Sequence, residues 1–258
     1  MLSRAVEVAR LNGDIAYETT LLTLLARLRQ QQNRLREAIG YYRQSIRLAR
    51  QTGDTFNEAR ACSNLGYLFI DRKYLQRARV LCCYALNLFE QVDSNHGRAH
   101  THNHLGAFYN YQRRRRKAEY HLKQACSIWK AMGDPYGLMR GFINLGATYA
   151  MHGQFEQALR YLHQALEQAQ ETGSEAELGK IYMSLGYAYR RNNNLRQAEH
   201  YARQAEVIFQ KFSDMPDLAQ VWNNLGTVYL HQERWAEALL YLEKAREMWR
   251  TLGIEERA

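Results

Sequence analysis

The residues of this sequence best equipped for chemistry are polar and sit at regular intervals. His96, His100, His102 and His104 suggest a metal site, because His100 and His104 fall one helical turn apart. Neither neighbouring carboxylates nor a third spaced ligand accompany them, so no metal is expected. His102 is expected to be a buried core histidine, and His100 and His104 to lie on an open surface. Cys62, Cys82, Cys83 and Cys126 lack the paired C-x-x-C spacing of a zinc site and read as small, reduced core residues. Arg113, Arg114, Arg115, Arg116 and Lys117 form a run able to hold phosphates, nucleic acid or an acidic partner. The run is confined to one turn and carries no recognition-helix motif. That favours a solvated turn, with a basic docking patch as the alternative. The chain has no Gly-rich phosphate loop, nucleophile elbow or metalloprotease helix motif, so it is expected to have no catalytic residue, no cofactor and no enzymatic activity.

A second set of polar residues recurs every forty positions. One column is Asn64, His104, Asn144, Ser184 and Asn224, and a basic column is Arg60, His100, Arg140, Lys180 and then Gln220. Between them run Ser63, Asn103, Ile143, Met183 and Asn223, with Tyr67 and Tyr187 about one turn further on. Asparagine offers both a donor and an acceptor, so a row of amides can grip the backbone of an extended peptide. Each such bond contributes only about 0.5–1.5 kcal/mol net, so affinity needs several in series. The basic column would favour an acidic or carboxylate-bearing ligand. The alternative is that these asparagines hold adjacent repeats together.

What must position these columns is the repeat itself. A Leu-Gly pair stands at Leu65-Gly66, Leu105-Gly106, Leu145-Gly146, Leu185-Gly186 and Leu225-Gly226, and an alanine follows each at Ala78, Ala118, Ala158, Ala198 and Ala238. The joints carry Gly13-Asp14, Gly53-Asp54, Val92-Asp93, Gly133-Asp134, Gly173-Ser174 and Ser213-Asp214. Such a period is the signature of a solenoid. In residues 134–173, Asp134 can cap a helix and Pro135 fits its first position. Phe142, Leu145 and Tyr149 then make one apolar stripe. Gly153 turns the chain into a second helix carrying Phe155, Ala158, Leu162, Ala165 and Leu166, which Gly173 closes. The glycine of the first helix and the facing alanine let the two backbones approach. Ser174-x-x-Glu177 predicts a capping box at the next repeat. The unit at 14–53 is the weakest match, with Leu25-Ala26 for Leu-Gly and Arg29 for the tyrosine, though Ala38 keeps register.

Six full repeats are therefore expected at 14–53, 54–93, 94–133, 134–173, 174–213 and 214–253, in one solenoid spanning 1–258. Residues 1–13 read as the second helix of a preceding repeat and 254–258 as the start of a further one. Neither end reads as capped, so the chain is expected to be a segment of a longer solenoid whose open ends could associate. The net charge of +9 is uneven: residues 94–133 carry +7 and 14–53 carry +4, while 134–173 and 214–253 carry −2 each. A uniformly basic nucleic-acid-binding domain would not alternate in sign, so nucleic acid at the Arg113–Arg116 turn is the weakest partner reading. No apolar run approaches the ~18 residues of a membrane span and no amino-terminal signal is present, so a cytoplasmic location without membrane contact is expected.

The pattern aromatic-x-x-Leu-Gly-x-x-Tyr, followed by Ala-x-x-x-aromatic/Leu-x-x-Ala, resembles the tetratricopeptide repeat. Trp222-Asn223-Asn224-Leu225-Gly226-Thr227-Val228-Tyr229, followed by Ala238, Leu242 and Ala245, is the closest copy. The period of forty rather than thirty-four, with Gly-Asp in place of a terminal proline, is similar to repeats in the Leu-Gly-Asn spindle-orientation proteins. It also resembles the sensor segments of bacterial signal-transduction ATPases of the maltose-regulon-activator type. The resemblance implies an all-α, right-handed superhelical solenoid whose first helices line a concave groove. It implies binding without naming a ligand. The groove set expected from the columns is Arg60, Ser63, Asn64, Tyr67, His100, Asn103, His104, Arg140, Asn144, Lys180, Ser184, Tyr187, Asn223 and Asn224. Its expected occupant is a peptide or protein segment of acidic character. The alternative is a small-molecule inducer, sensed by a segment of a larger regulator.

Overall fold

A computed structural model describes residues 2–71 and 73–253, apart from the side chains of Ser3, Asp71 and Ala176. The further helix expected at 254–258 lies outside the described residues. Among those residues the chain is all α. Its helices are α1 (Leu2–Leu11), α2 (Ile15–Gln31), α3 (Leu35–Thr52), α4 (Thr55–Asp71), α5 (Leu75–Gln91), α6 (Asn95–Tyr111) and α7 (Arg115–Met132), then α8 (Pro135–Met151), α9 (Phe155–Thr172), α10 (Glu175–Arg191), α11 (Leu195–Phe212), α12 (Met215–His231) and α13 (Trp235–Thr251). They form two compact units, Met1–Gly133 and Asp134–Ala258.

Local chemistry explains the boundaries. The first helix of a pair opens on a side-chain cap: Asp14 accepts from Tyr17 N–H at 3.0 Å, Asp54 from Asn57 at 3.0 Å, Ser94 from Gly97 at 3.2 Å, Asp134 from Gly137 at 2.9 Å and Asp214 from Asp217 at 3.4 Å. Such a bond satisfies one of the open N–H groups of the first turn. The capping box expected at Ser174 does not form. Its hydroxyl lies 2.9 Å from Thr172 Oγ1, and Glu177 accepts from Lys180 Nζ at 3.4 Å, so both partners are engaged elsewhere. Each turn passes through one left-handed residue, every twenty positions along the chain. Glycine supplies it at Gly173 (φ 65°), while Asp93, Arg113, Ser213 and Glu233 adopt it with a side chain.

Within each pair the glycine marks the close crossing. A Cβ on Gly146 would lie 2.6 Å from Leu162 Cγ and 3.2 Å from the Ala158 carbonyl oxygen, and Gly106 meets Leu122 Cγ at 2.5 Å. The facing alanine therefore supplies backbone, and the residue one turn beyond it supplies the side chain that fills the space glycine leaves. At Gly186 that residue is Ala202, whose Cβ stands off at 3.6 Å.

In the first unit, Val6 and Ala9 of α1 pack on Leu21, Leu22 and Leu25 of α2. Tyr42, Leu65, Leu68, Phe69 and Phe108 continue the core through the next pairs. The first helices α2, α4 and α6 touch in sequence, whereas the second helices α3, α5 and α7 do not touch one another among the described residues. An array whose one row is closed and whose other row is spread curves toward the closed row, so the first helices form the inner side of this unit. The second unit is built likewise: α10 touches α8 and α12, and α9, α11 and α13 stay apart. There Arg203 knits α11 to its neighbours, donating to Tyr229 Oη of α12 at 2.8 Å and to Tyr241 Oη of α13, while it also donates to Glu206 of its own helix at 2.9 Å.

Candidate functional site

The inner surface of the first unit carries the residues expected to bind. Tyr67 is 42% exposed, and its ring stacks on His104 with centroids 4.7 Å apart. His104 is held in turn by Ser63, whose Oγ lies 3.0 Å from His104 Nδ1 and 2.9 Å from Thr101 Oγ1. Ser63 and Asn103 are only 3% and 5% exposed. Ser63 sits in the seam between α4 and α6 and joins the two helices rather than facing outward. Arg60 lies half-buried with its guanidinium 5.9 Å from the Phe56 ring, and its Nε and Nη2 have no hydrogen-bond partner. Burial and the nearby positive charge of Arg27 both pull the Arg60 pKa down, against the pull of Asp54. Asn64 and His100 are half-buried on the same helices.

In the second unit, Arg140 is exposed, and Asn144, Lys180, Ser184, Tyr187 and Asn223 are half-buried. Ser184 donates back to the Lys180 carbonyl at 2.8 Å, and Arg191 donates to Tyr187 Oη at 3.3 Å. Asn224, at 7% exposure, is buried.

The histidines fall into separate surroundings. Nε2 of His96 lies 3.2 Å from Nε2 of His100, which sets its ring edge-on to the buried Trp129 at 5.4 Å. His102 is half-buried, and its Nδ1 lies 3.0 Å from Nδ1 of His121, whose other face stacks on Tyr109 at 5.3 Å. Burial pushes both imidazoles down to about 4, helped at His102 by His121 and Arg98 and at His121 by Lys117. Among the described residues no three His, Cys, Asp or Glu side chains gather as a metal would require. Cys62, Cys82 and Cys126 are buried, and burial raises the Cys62 and Cys126 thiols to about 12. Cys83 is exposed, contrary to the expectation of four core cysteines. It directly follows the buried Cys82, and adjacent helical residues point about 100° apart.

The basic run is divided by the helix start. Arg113 takes the left-handed turn position and Arg114 is the residue before α7. Arg115 pairs with Glu119 at 3.3 Å, and Lys117 lies over the Tyr109 ring at 5.5 Å. Sequence reasoning did not connect this run to Gln76 and Arg79 of the preceding repeat. The available signal was the forty-residue register, which brings the start of α5 alongside the start of α7.

Stacked helix pairs with polar side chains on the inner row define a tetratricopeptide-repeat protein. More narrowly, the chain belongs to the MalT-like TPR region family, whose model matches residues 66–255, and a tetratricopeptide-repeat model matches residues 21–55. No curated protein matches the sequence. Among solved structures, BtubC from P. vanneervenii is 21% identical, with 98% of this chain and 89% of that one covered and a TM-score of 0.58. A Rap protein complexed with Competence and Sporulation Factor is 14% identical over 95% of this chain and 66% of its own, at a TM-score of 0.77. A signal-transduction ATPase with a tetratricopeptide-repeat sensor, from Pyrococcus horikoshii, is 16% identical at a TM-score of 0.71; the match covers 92% of this chain and 37% of that protein. At these identities the likeness is one of fold. No helix of the described residues is long and apolar enough to cross a membrane.

Proposed function

We propose that this chain is a non-catalytic binding module in which the first-helix surface of a unit holds an extended peptide or protein segment. The observation that carries the reading is the open Tyr67–His104 stack, which shares its row with the half-buried guanidinium of Arg60. A half-desolvated cation favours a carboxylate, and an exposed tyrosine supplies rigid apolar contact. In the second unit Arg140, Asn144, Lys180, Ser184, Tyr187 and Asn223 offer the corresponding contacts. Ser63, Asn103 and Asn224 are buried and leave the contact set, and Ser63 joins two first helices instead. The Rap protein of similar fold, complexed with Competence and Sporulation Factor, supports a binding role for such a fold.

The test is a peptide-array screen followed by titration. Selected sequences should be enriched in Asp and Glu, and Arg60→Gln with Tyr67→Ala should weaken binding by about tenfold or more, a loss of roughly 1.4 kcal/mol. The helical signal of that variant should match the parent. Selection of basic peptides, or full affinity in the double variant, would sink the proposal. A second reading, the sensing of a small molecule by a segment of a larger regulator, draws on membership of the MalT-like family. It predicts that a small-molecule screen raises the melting temperature of the chain while the array selects no peptide.

A further inference from the structure

A separate feature lies at the joints of the first unit, away from the inner row. Gln76 and Arg79 of α5, Tyr109 of α6, Gln112 of the following turn, and Arg114 and Lys117 at the start of α7 line a cleft of about 290 Å³. Three of these six side chains are cationic and none is acidic. Glu119, the acid of α7, is occupied by Arg115 at 3.3 Å and Lys123 at 2.7 Å. Among the described residues, Arg79, Arg114 and Lys117 have no ion pair. Like charges gathered around one concavity repel one another, and the cleft focuses their field on its interior. The N-terminal ends of α5 and α7, which both open here, add partial positive charge. A singly charged carboxylate would leave most of this charge uncompensated, whereas a multiply charged anion would not. The volume falls just below the ~300 Å³ at which pockets begin to enclose drug-sized ligands, which suits a compact charged group.

We propose that this cleft binds the diphosphate or triphosphate group of a soluble ligand, either free or as part of a nucleotide. Arg79, Arg114 and Lys117 provide the charged donors, with forked guanidinium contacts and an ammonium point charge. The amides of Gln76 and Gln112 provide neutral donors. The whole inner row is left out of this assignment, so the site stands or falls independently of peptide binding.

The experiment is calorimetric titration of the full chain with pyrophosphate and with ATP, in about 150 mM KCl to screen diffuse surface charge. Both probes should bind saturably at one site. Arg79→Gln with Lys117→Gln should weaken binding by about tenfold or more. Arg113→Gln with Arg116→Gln removes the same charge from exposed positions outside the cleft lining, and should change affinity by no more than about twofold. Equal affinity for the two probes assigns the site to the phosphate chain alone, and tighter binding of ATP assigns it to a nucleotide. Non-saturable heats, or equal losses in the two double variants, would overturn the proposal by reducing the cleft to part of a diffuse basic surface. All four substituted side chains are exposed, and an unchanged helical signal should accompany each variant.

Discussion

The contact between His102 and His121 shows how one residue choice changes the behaviour of a repeat. In the register of the repeats, these positions hold Phe142 and Tyr161, then Tyr182 and Tyr201, whose rings lie 5.9 Å apart in both cases. The imidazole pair fills the same space but can take up protons. Both histidines titrate near 4 in the folded chain, against 6.5 for the free side chain. Between those values the unfolded chain binds more protons than the folded one, so stability falls as pH drops from about 6.5 to 4 and the loss levels off below. Lys117 and Arg98 add their positive charge to the effect of burial. The double variant His102→Phe with His121→Tyr recreates the neighbouring pair. Its melting temperature should fall less than the parent's on acidification from pH 7 to 4.5, with the difference concentrated below pH 6.5. Parallel pH profiles would show that the histidines titrate normally.

At the scale of the helix pair, the repeated glycine matters through what stands opposite it. Adding a methyl group at Gly146 drives into Leu162, at 2.6 Å, whereas at Gly186 the nearest atoms are backbone at 3.3 Å and the Ala202 Cβ at 3.6 Å. Alanine is favoured over glycine in a helix by about 1 kcal/mol, and overpacking costs about 1–3 kcal/mol. Gly186→Ala should therefore be close to neutral, and Gly146→Ala more destabilising by about 1–3 kcal/mol in urea denaturation. Placing Gly146→Ala in a Leu162→Ala background should remove most of that difference. If the two glycines respond alike, the side chain opposite is not what makes them differ.

Across the whole molecule, the forty-residue beat and the charge are distributed differently. Lys and Arg far outnumber acids in Met1–Gly133 but not in Asp134–Ala258. An acidic peptide held by Arg60 should accordingly bind less tightly as KCl rises, because the screening length shrinks from about 10 Å at 0.1 M to about 3 Å at 1 M. Affinity indifferent to salt would remove the electrostatic part of the reading. The sequence by itself determined the helix pairs, the cap at Asp134, the turn positions and the close crossing at each repeated glycine. These depend on a few neighbouring residues whose pattern recurs, so one repeat suffices to read them. It also placed the polar columns on the first helices. The tertiary structure decided which members of a column are open: Ser63 closes the seam between α4 and α6 and Asn103 is buried, while Tyr67, one turn beyond Ser63, is exposed. It also decided that Arg79 of one repeat shares a cleft with Arg114 and Lys117 of the next. Both outcomes depend on how far each helix pair rises and rotates against its neighbour, a quantity set by packing between repeats and written in no single one of them.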